Sequence, residues 1–251
     1  MLLTFLLQLT ASERTRRSNL QFGGILAFVA GAVNAGGFLA VHRYTSHMTG
    51  IVSSVADDLV IGSIGLALAG LVSVAAFLTG AITTTLLISW ARRHGLRSKY
   101  ALALLLEAAL LLVFGLVGAN LTSFASLLVP TAVLLLCFIM GLQNAIVTKI
   151  SNAEIRTTHM TGVITDLGIE LGRLIYWNHS QKANDIQIVR ANTDKLFIHA
   201  SLLGLFFFGG IAGALAFKAL GFSATLPIAL LLVAMALPAI VIDLRKLAQA
   251  P

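Results

Sequence analysis

The sequence is poor in charge, in cysteine and in proline. Only 11% of its 251 residues are charged whereas 58% are hydrophobic, and the mean hydropathy is +0.93. A water-soluble domain of this size needs a polar surface, so the scarcity of charge excludes a soluble globular protein. The single cysteine, Cys137, excludes an internal disulfide. The composition therefore predicts a protein whose solvent is lipid.

Long apolar runs recur six times along the chain. A bilayer core about 30 Å thick requires roughly 20 apolar residues per crossing helix. The runs of this kind are residues 23–41, 64–91, 100–117, 129–150, 196–217 and 222–242. Residues 1–20 begin with an apolar stretch that basic residues follow rather than precede, so we expect a retained interfacial segment and not a cleaved signal peptide. The predicted fold class is an all-α polytopic membrane protein with six transmembrane helices.

Two motifs occur twice. The tetrapeptide His-Met-Thr-Gly begins at His47 and again at His159, within the related segments 45–59 and 157–171. Upstream of each copy, an apolar run contains Gly-x-x-Asn-Ala, with its asparagine at Asn34 and at Asn144. This order of features predicts an internal duplication. We divide the chain into repeat 1, residues 21–126, and repeat 2, residues 127–251, which contains an additional polar linker at 178–195.

Positive charge predicts how the two repeats face, because Lys and Arg accumulate in cytoplasmic loops. If the short stretches after each HMTG do not cross and the N-terminus is cytoplasmic, fifteen of the seventeen basic residues lie inside, with only Arg43 and Lys218 outside. If the stretches do cross, the split becomes nine to eight. The six-span topology is favoured, so the repeats are inverted and each has a broken or re-entrant half-helix.

The net charge of +7 arises from short basic clusters at the ends of the apolar runs, and no nucleic-acid-binding module fits between them. We therefore expect no nucleic acid partner. The same distribution of basic residues predicts that both termini are cytoplasmic.

The duplicated segments are the candidate binding site. A non-helical turn at membrane depth needs protein or a water-filled cavity around it, and the half-helix that follows would present free N–H groups to an anion. Thr49 and Thr161 would cap these half-helices, and the glycines would allow close approach. Two histidines without a third local ligand are a weak metal signal, so no metal or cofactor is expected. The candidate substrate-binding residues are Asn34, His47, Thr49, Gly50, Gln143, Asn144, His159, Thr161 and Gly162.

Acidic side chains on the two half-helices and in the third apolar run are candidates for ion coupling, because charge at membrane depth is costly. The set is Asp58, Glu107, Asp166 and Glu170. The alternative is structural. The half-helices would lie near an interface, where the carboxylates of Asp58, Asp166 and Glu170 meet water or the Arg173 cluster, and Glu107 would pair with a buried group such as His199. The amides of Asn34, Gln143 and Asn144 also have a structural alternative to solute binding, which is hydrogen bonding between helices.

Small residues within the runs predict close helix contacts. The glycines concerned are Gly31, Gly36, Gly37, Gly80, Gly209, Gly210 and Gly213.

The motifs GAVNAGGFLA, HMTG, GLQNA and a second HMTG resemble the YoaK-like bacterial membrane proteins, a family of unknown function. The resemblance extends from about Gln21 to Arg245. It implies a six-span bacterial inner-membrane protein and supplies no substrate. The family pattern often has Asp at the position of Asn34 and Asn at that of Ile51, so these two positions depart from it.

The function predicted from this architecture is a secondary transporter or permease for a small polar or anionic solute. A channel and a membrane scaffold or lipid-binding protein are the alternatives, with a homodimer left open. No HExxH, nucleophile elbow or dinucleotide glycine motif is present in the sequence, which makes an intramembrane enzyme the least favoured class.

Overall fold

The computed structural model describes residues 16–96, 98–151, 158–176 and 189–248. Within these ranges the regular structure is entirely helical. The helices are α1 (Arg16–Val41), α2 (Met48–Ile61), α3 (Ile64–Arg93), α4 (Ala101–Ala119), α5 (Ala125–Ile150), α6 (Met160–Ile175), α7 (Thr193–Leu220) and α8 (Thr225–Ala248), with a 3₁₀ turn, Gly221–Ala224, between the last two.

Five stretches of the described chain are long and apolar enough to cross a membrane. They are Ser18–Val41, Ile64–Arg93, Ala101–Ala119, Ala125–Ile150 and Thr193–Arg245, the last being 53 residues that contain both α7 and α8. Large apolar side chains on their outer faces are exposed, as in α3, where Leu86 is 64% exposed. Such a surface requires lipid rather than water. The prediction of an all-helical polytopic membrane protein is confirmed.

The helices α2 and α6 are shorter than the others. They contain 14 and 16 residues, which correspond to about 21 and 24 Å at 1.5 Å per residue. Neither length reaches the roughly 30 Å of a hydrocarbon core.

Glycines bring α1 and α7 into backbone contact. A Cβ atom added at Gly31 would overlap the carbonyl oxygen of Phe206, and one added at Gly209 would overlap that of Phe28. Each helix thus places a Phe-x-x-Gly sequence against the same sequence of its neighbour. Only glycine allows two backbones to approach this closely.

The same contact occurs between α3 and α5. A Cβ atom at Gly80 would overlap the carbonyl oxygen of Phe138, and one at Gly141 would overlap that of Phe77. Phe138 and Gly141 follow Phe28 and Gly31 by 110 positions, and Gly209 follows Gly80 by 129. The predicted close contacts are confirmed at all seven glycines, which have the ring of Phe217, the side chain of Leu136 or helix backbone against them.

Contacts fix the relative directions of the helices. Gln143 of α5 contacts Leu26 of α1, whereas the earlier residue Leu136 contacts the later residue Gly37. The helices α1 and α5 are therefore antiparallel.

The helix α3 runs parallel to α5. The side chain of Ser73 lies beside that of Cys137, and farther along both helices Thr84 donates to the carbonyl oxygen of Leu142. Since α5 opposes α1, the helices α1 and α3 run in opposite directions.

The helix α2 folds back onto α3. It ends at Gly62, whose φ of 82° lies in the left-handed region that favours glycine, and α3 begins two residues later. Val55 is buried against Gly70. These contacts make α2 antiparallel to α3, and hence parallel to α1.

The core lies where α1, α4, α5 and α8 meet, with fully buried Phe22, Leu104, Leu136 and Met140. The helices α4 and α8 are antiparallel, because Ser98 donates its backbone N–H to Asp243 and Gly118 packs against the ring of Phe222.

Candidate functional site

Each HMTG segment is tied to a Gly-x-x-Asn-Ala asparagine. The hydroxyl of Ser46 donates to Oδ1 of Asn34 at 2.9 Å, and the hydroxyl of Thr158 donates to Oδ1 of Asn144 at 2.6 Å. In both copies the donor directly precedes the histidine. The asparagine amide of the second copy also donates to the carbonyl oxygen of Met140. The two copies thus share one anchoring contact, which sequence comparison alone did not assign.

These anchors set where the short helices begin. Asn34 lies seven residues before the end of α1, about 10 Å along the helix axis. The chain leaves α1 at Val41, folds back to the level of Asn34, and only then starts α2 at Met48. The start of α2 is therefore about two helical turns below the end of α1.

The histidines, not the threonines, occupy the N-cap positions. His47 precedes α2 and His159 precedes α6, and neither side chain forms a capping hydrogen bond. The predicted capping by Thr49 and Thr161 is wrong, because both threonines lie inside the first turn, where their side chains are exposed. The N–H group of Met48 bonds to the carbonyl oxygen of Ser46, whereas neither N-cap side chain satisfies the N–H groups of the first turn that follows it.

The two glycines of the motif have different surroundings. The imidazole of His47 lies directly over Gly50, where an added Cβ would overlap the ring. At Gly162, by contrast, nothing in the described part of the chain lies within 4 Å of an added Cβ. The first copy is thus covered by its own histidine.

The amide of Gln143 lies between helices, as its structural alternative predicted. Its Nε2 donates to the carbonyl oxygen of Leu26 at 3.2 Å. Its Oε1 is buried and has no hydrogen-bond partner among the described residues.

A polar cavity of about 210 Å³ lies between α6 and α7. Its lining consists of Asp166, Ile169, Glu170, Lys195, Ile198 and His199. Glu170 is buried, and its carboxylate accepts hydrogen bonds from Arg173 at 2.8 Å and from the backbone N–H of Asn192 at 2.6 Å. This carboxylate therefore ties α6 to the start of α7.

Asp166 and His199 face each other across this cavity. Their closest atoms, Oδ2 and Nε2, are 3.7 Å apart, and the side chains are 56% and 13% exposed respectively. The Nδ1 atom of His199 is buried without a described partner. Sequence reasoning suggested His199 as a partner for Glu107, but the structure places it beside Asp166.

The candidate coupling acid of α2, Asp58, has no such environment. Asp58 is half-buried and forms no ion pair with the residues that the structure describes. Glu107 in α4 is fully buried, and neither of its oxygens has a hydrogen-bond partner within the described ranges.

Metal coordination finds no support among the described residues. They contain no group of three or more His, Cys, Asp or Glu side chains that could hold a metal ion.

Several residues of the site were not singled out from the sequence. Ser46 and Thr158 carried a usable signal, since both copies have a hydroxyl directly before the histidine. Lys195 gave none, because its position in the polar linker does not indicate that it lines a cavity.

Apolar helices, buried polar anchors and a lipid-facing surface define an integral membrane protein. Residues 22–237 match the family model described as "Protein of unknown function (DUF1275)", so the chain belongs to this family. It is 31% identical to the UPF0700 transmembrane protein YoaK of Bacillus subtilis (strain 168) over 163 residues, which are 63% of this chain and 69% of that protein. The resemblance to YoaK-like proteins is confirmed. No solved structure matches the chain.

Proposed function

We propose that this chain is a secondary transporter or permease for a small polar or anionic solute, built from six transmembrane helices in two inverted repeats. Repeat 1 comprises residues 21–126 and repeat 2 residues 127–251. The observation that supports this most strongly is the duplicated anchor: Ser46 on Asn34 and Thr158 on Asn144, on helices α1 and α5 that run in opposite directions.

Helix directions favour six crossings over eight. Six crossings require α1 and α5 to be antiparallel, whereas eight crossings would make them parallel. The observed contacts are antiparallel. In this topology α2 and α6 are re-entrant: each begins inside the membrane and returns to the side from which its segment entered.

The repeated Phe-x-x-Gly contacts support the duplication independently. The contact of α1 with α7 and the contact of α5 with α3 use equivalent residues. Exchanging the two repeats exchanges these two contacts, as a pseudo-two-fold axis in the membrane plane requires.

The solute site would lie between the N-termini of α2 and α6. Gln143 contacts Leu26, so the adjacent Asn144 lies at about the level of Leu26. Leu26 precedes Asn34 by eight residues, which is about 12 Å along α1. Both short helices would then point uncapped N–H groups and partial positive charge toward the bilayer centre from opposite sides. The N-cap histidines, Thr49, Thr161, Asn34, Gln143 and Asn144 would line the space between them.

The acidic residues Asp58, Glu107, Asp166 and Glu170 are the candidates for ion coupling. We further propose a bacterial inner membrane location with cytoplasmic termini. The distribution of lysine and arginine supports this orientation.

Uptake into proteoliposomes tests the transport proposal. Purified protein would be offered radiolabelled inorganic phosphate, succinate and glycine, with His47→Ala plus His159→Ala as the site variant and the exposed His94→Ala as the matched control. We expect saturable uptake by the native chain and by His94→Ala, and none by the double variant. Equal uptake by all three proteins would contradict the proposed site.

A lipid-binding function is the second candidate, because one observation favours it. An apolar cavity of about 350 Å³ lies between α4 and the start of α8, lined by Gly115, Leu116, Phe222 and Leu226 among others. Retention of a specific lipid through purification, with loss of that lipid in Gly115→Leu and no solute uptake, would favour this alternative. A channel would instead give uptake that does not saturate.

A further inference from the structure

Glu107 interrupts an apolar contact between α4 and α8. It is the only polar residue of α4, whose sequence is ALALLLEAALLLVFGLVGA, and it lies three residues, about 4.5 Å, from the middle of the helix. The α4 and α8 helices contact each other through Ser98 and Asp243 at one end and through Gly118 and Phe222 at the other. Counting along both helices from these contacts places Glu107 level with Val233 of α8. Between Thr225 and Asp243 that helix has no polar side chain.

The carboxyl group of Glu107 has no compensating partner. It is fully buried, and both oxygens lack hydrogen bonds with the described residues. Its helical neighbours Leu104, Ala108 and Leu111 are buried and apolar. An unpaired charge in such surroundings is far more costly than a neutral acid.

Charged groups on the packed helices lie near the helix ends. The helices that pack against α4 are α8, α5 and α3, and their charged groups are Asp243 and Arg245 on α8, Lys149 on α5, and Arg92 and Arg93 on α3, together with Lys246 near the end of α8. Cys137 of α5 is the one titratable group in the middle of these neighbours. No described cation is therefore placed to neutralise a carboxylate at position 107.

The coordination requirements of cations select among coupling ions. Calcium takes six to eight oxygen ligands and magnesium requires an octahedral set. The only acid of the two facing helices besides Glu107 is Asp243, about ten residues along α8 from the level of Glu107. A proton needs only one oxygen atom. The surroundings of Glu107 thus suit a proton and not a metal cation.

We infer that Glu107 is the proton-carrying residue of this protein and that the coupling ion is the proton. This inference rests on the proposed transport function. In the arrangement seen here, where Glu107 is fully buried, the side chain carries its proton. The proton leaves to water only when α4 and α8 separate enough to admit it, so release is tied to a change in the contact between the two repeats.

Chemical labelling of the native chain tests the protonated state without a known solute. Dicyclohexylcarbodiimide enters membranes and reacts with protonated carboxyl groups, and mass spectrometry locates the adduct. We expect the main adduct at Glu107 at neutral pH, with less adduct at the ion-paired Glu170. An adduct at Glu170 or Asp166 without one at Glu107 would overturn the inference.

Transport by variants separates coupling from transport itself. Glu107→Gln retains the shape of the protonated acid, so we expect it still to exchange labelled for unlabelled solute, a reaction that requires no net movement of protons. A one-unit pH gradient should drive about tenfold accumulation in the native protein at one proton per solute and none in Glu107→Gln. The probes are phosphate, succinate and glycine, and Asp57→Asn, an exposed acid of α2, is the matched control.

The outcomes distinguish the two proposals. Native transport that is indifferent to the pH gradient would overturn the proton inference and leave the transporter standing. If no probe moves through the native chain, the transport proposal fails and the coupling inference fails with it, whichever carboxyl group is labelled.

Discussion

The α2–α3 pair and the α6–α7 pair follow the two HMTG motifs, and they differ in chemistry more than in backbone path. In both pairs a short helix starts just after a histidine, and the residue before that histidine is hydrogen-bonded to an asparagine. The short helix packs antiparallel to the long helix that follows it. The first pair is closed by a two-residue turn and by Val55 packed on Gly70. The second encloses a cavity of about 210 Å³ lined by charged residues.

Three substitutions explain the difference. At equivalent positions, Gly70 of α3 corresponds to His199 of α7, Leu66 corresponds to Lys195, and Ile61 corresponds to Arg173. Each change replaces a small or apolar residue with a polar or basic one. A duplicated backbone can thus be sealed by apolar packing in one repeat and enclose a cavity lined by charged residues in the other.

The largest expected effect concerns the Phe-x-x-Gly contacts, which both repeats have. Gly31→Val and Gly141→Val should each lower the free energy of unfolding by about 3 kcal/mol, because the new side chain meets a carbonyl group that cannot move aside. Thermal unfolding in detergent measures the loss. Gly204→Ala, where nothing described lies within 4 Å of the added Cβ, is the control. A large loss at only one of the two glycines would break the equivalence of the two contacts.

Removal of an acidic side chain should destabilise repeat 2 more than repeat 1. Glu170→Ala removes two hydrogen bonds, one of them to a half-exposed arginine, so we expect a loss of about 2 kcal/mol. The equivalent change Asp58→Ala should cost less than about 0.5 kcal/mol, since no described partner is lost. Chemical denaturation of both variants checks the difference. Equal losses would mean that Asp58 has an ionic role of its own.

The anchors should behave alike. Ser46→Ala and Thr158→Val each remove one hydroxyl-to-asparagine hydrogen bond, for an expected loss of about 1 kcal/mol. Protease sensitivity of the segments just before α2 and α6, compared with overall unfolding, reports on local release. An unchanged cleavage pattern in both variants would argue against an anchoring role.

The smallest effect distinguishes the two motif glycines. Gly162→Ala should stabilise α6 by up to about 1 kcal/mol, because alanine favours helix and nothing described obstructs it. Gly50→Ala should give no gain while His47 covers the position, and should regain it in a His47→Ala background. Unfolding midpoints of the four variants test this pattern, which a gain at Gly50 with His47 intact would contradict.

The sequence predicted the membrane class, the helical fold and the close glycine contacts, because apolar run length and small residues determine these directly. It also located both asparagines and both HMTG motifs. It assigned the helix caps wrongly, since the N-cap falls one residue before the helix and Thr49 lies within the first turn.

The polar cavity could not be read from the sequence. The equivalence of His199 with Gly70 depends on an offset of 129 positions in the long helices. The HMTG motifs have an offset of 112, because the polar linker lies between the motif and the long helix of repeat 2. Only packing of α6 on α7 brings Asp166, Glu170 and Lys195 together. Burial of Glu107 was predictable, but the absence of a described partner for it was not.

The inverted six-span architecture requires that both ends of the re-entrant α2 lie on the same side of the membrane, and this can be measured directly. Single cysteines at Tyr44 and Ser63, introduced into a Cys137→Ala background, would be exposed to a membrane-impermeant maleimide on intact cells, with His94→Cys as a control at the far end of α3. We expect positions 44 and 63 to be labelled from the same side of the membrane, and position 94 to lie on the opposite side. Labelling of positions 44 and 63 from opposite sides would mean that α2 crosses the membrane, and the inverted six-span architecture would be wrong.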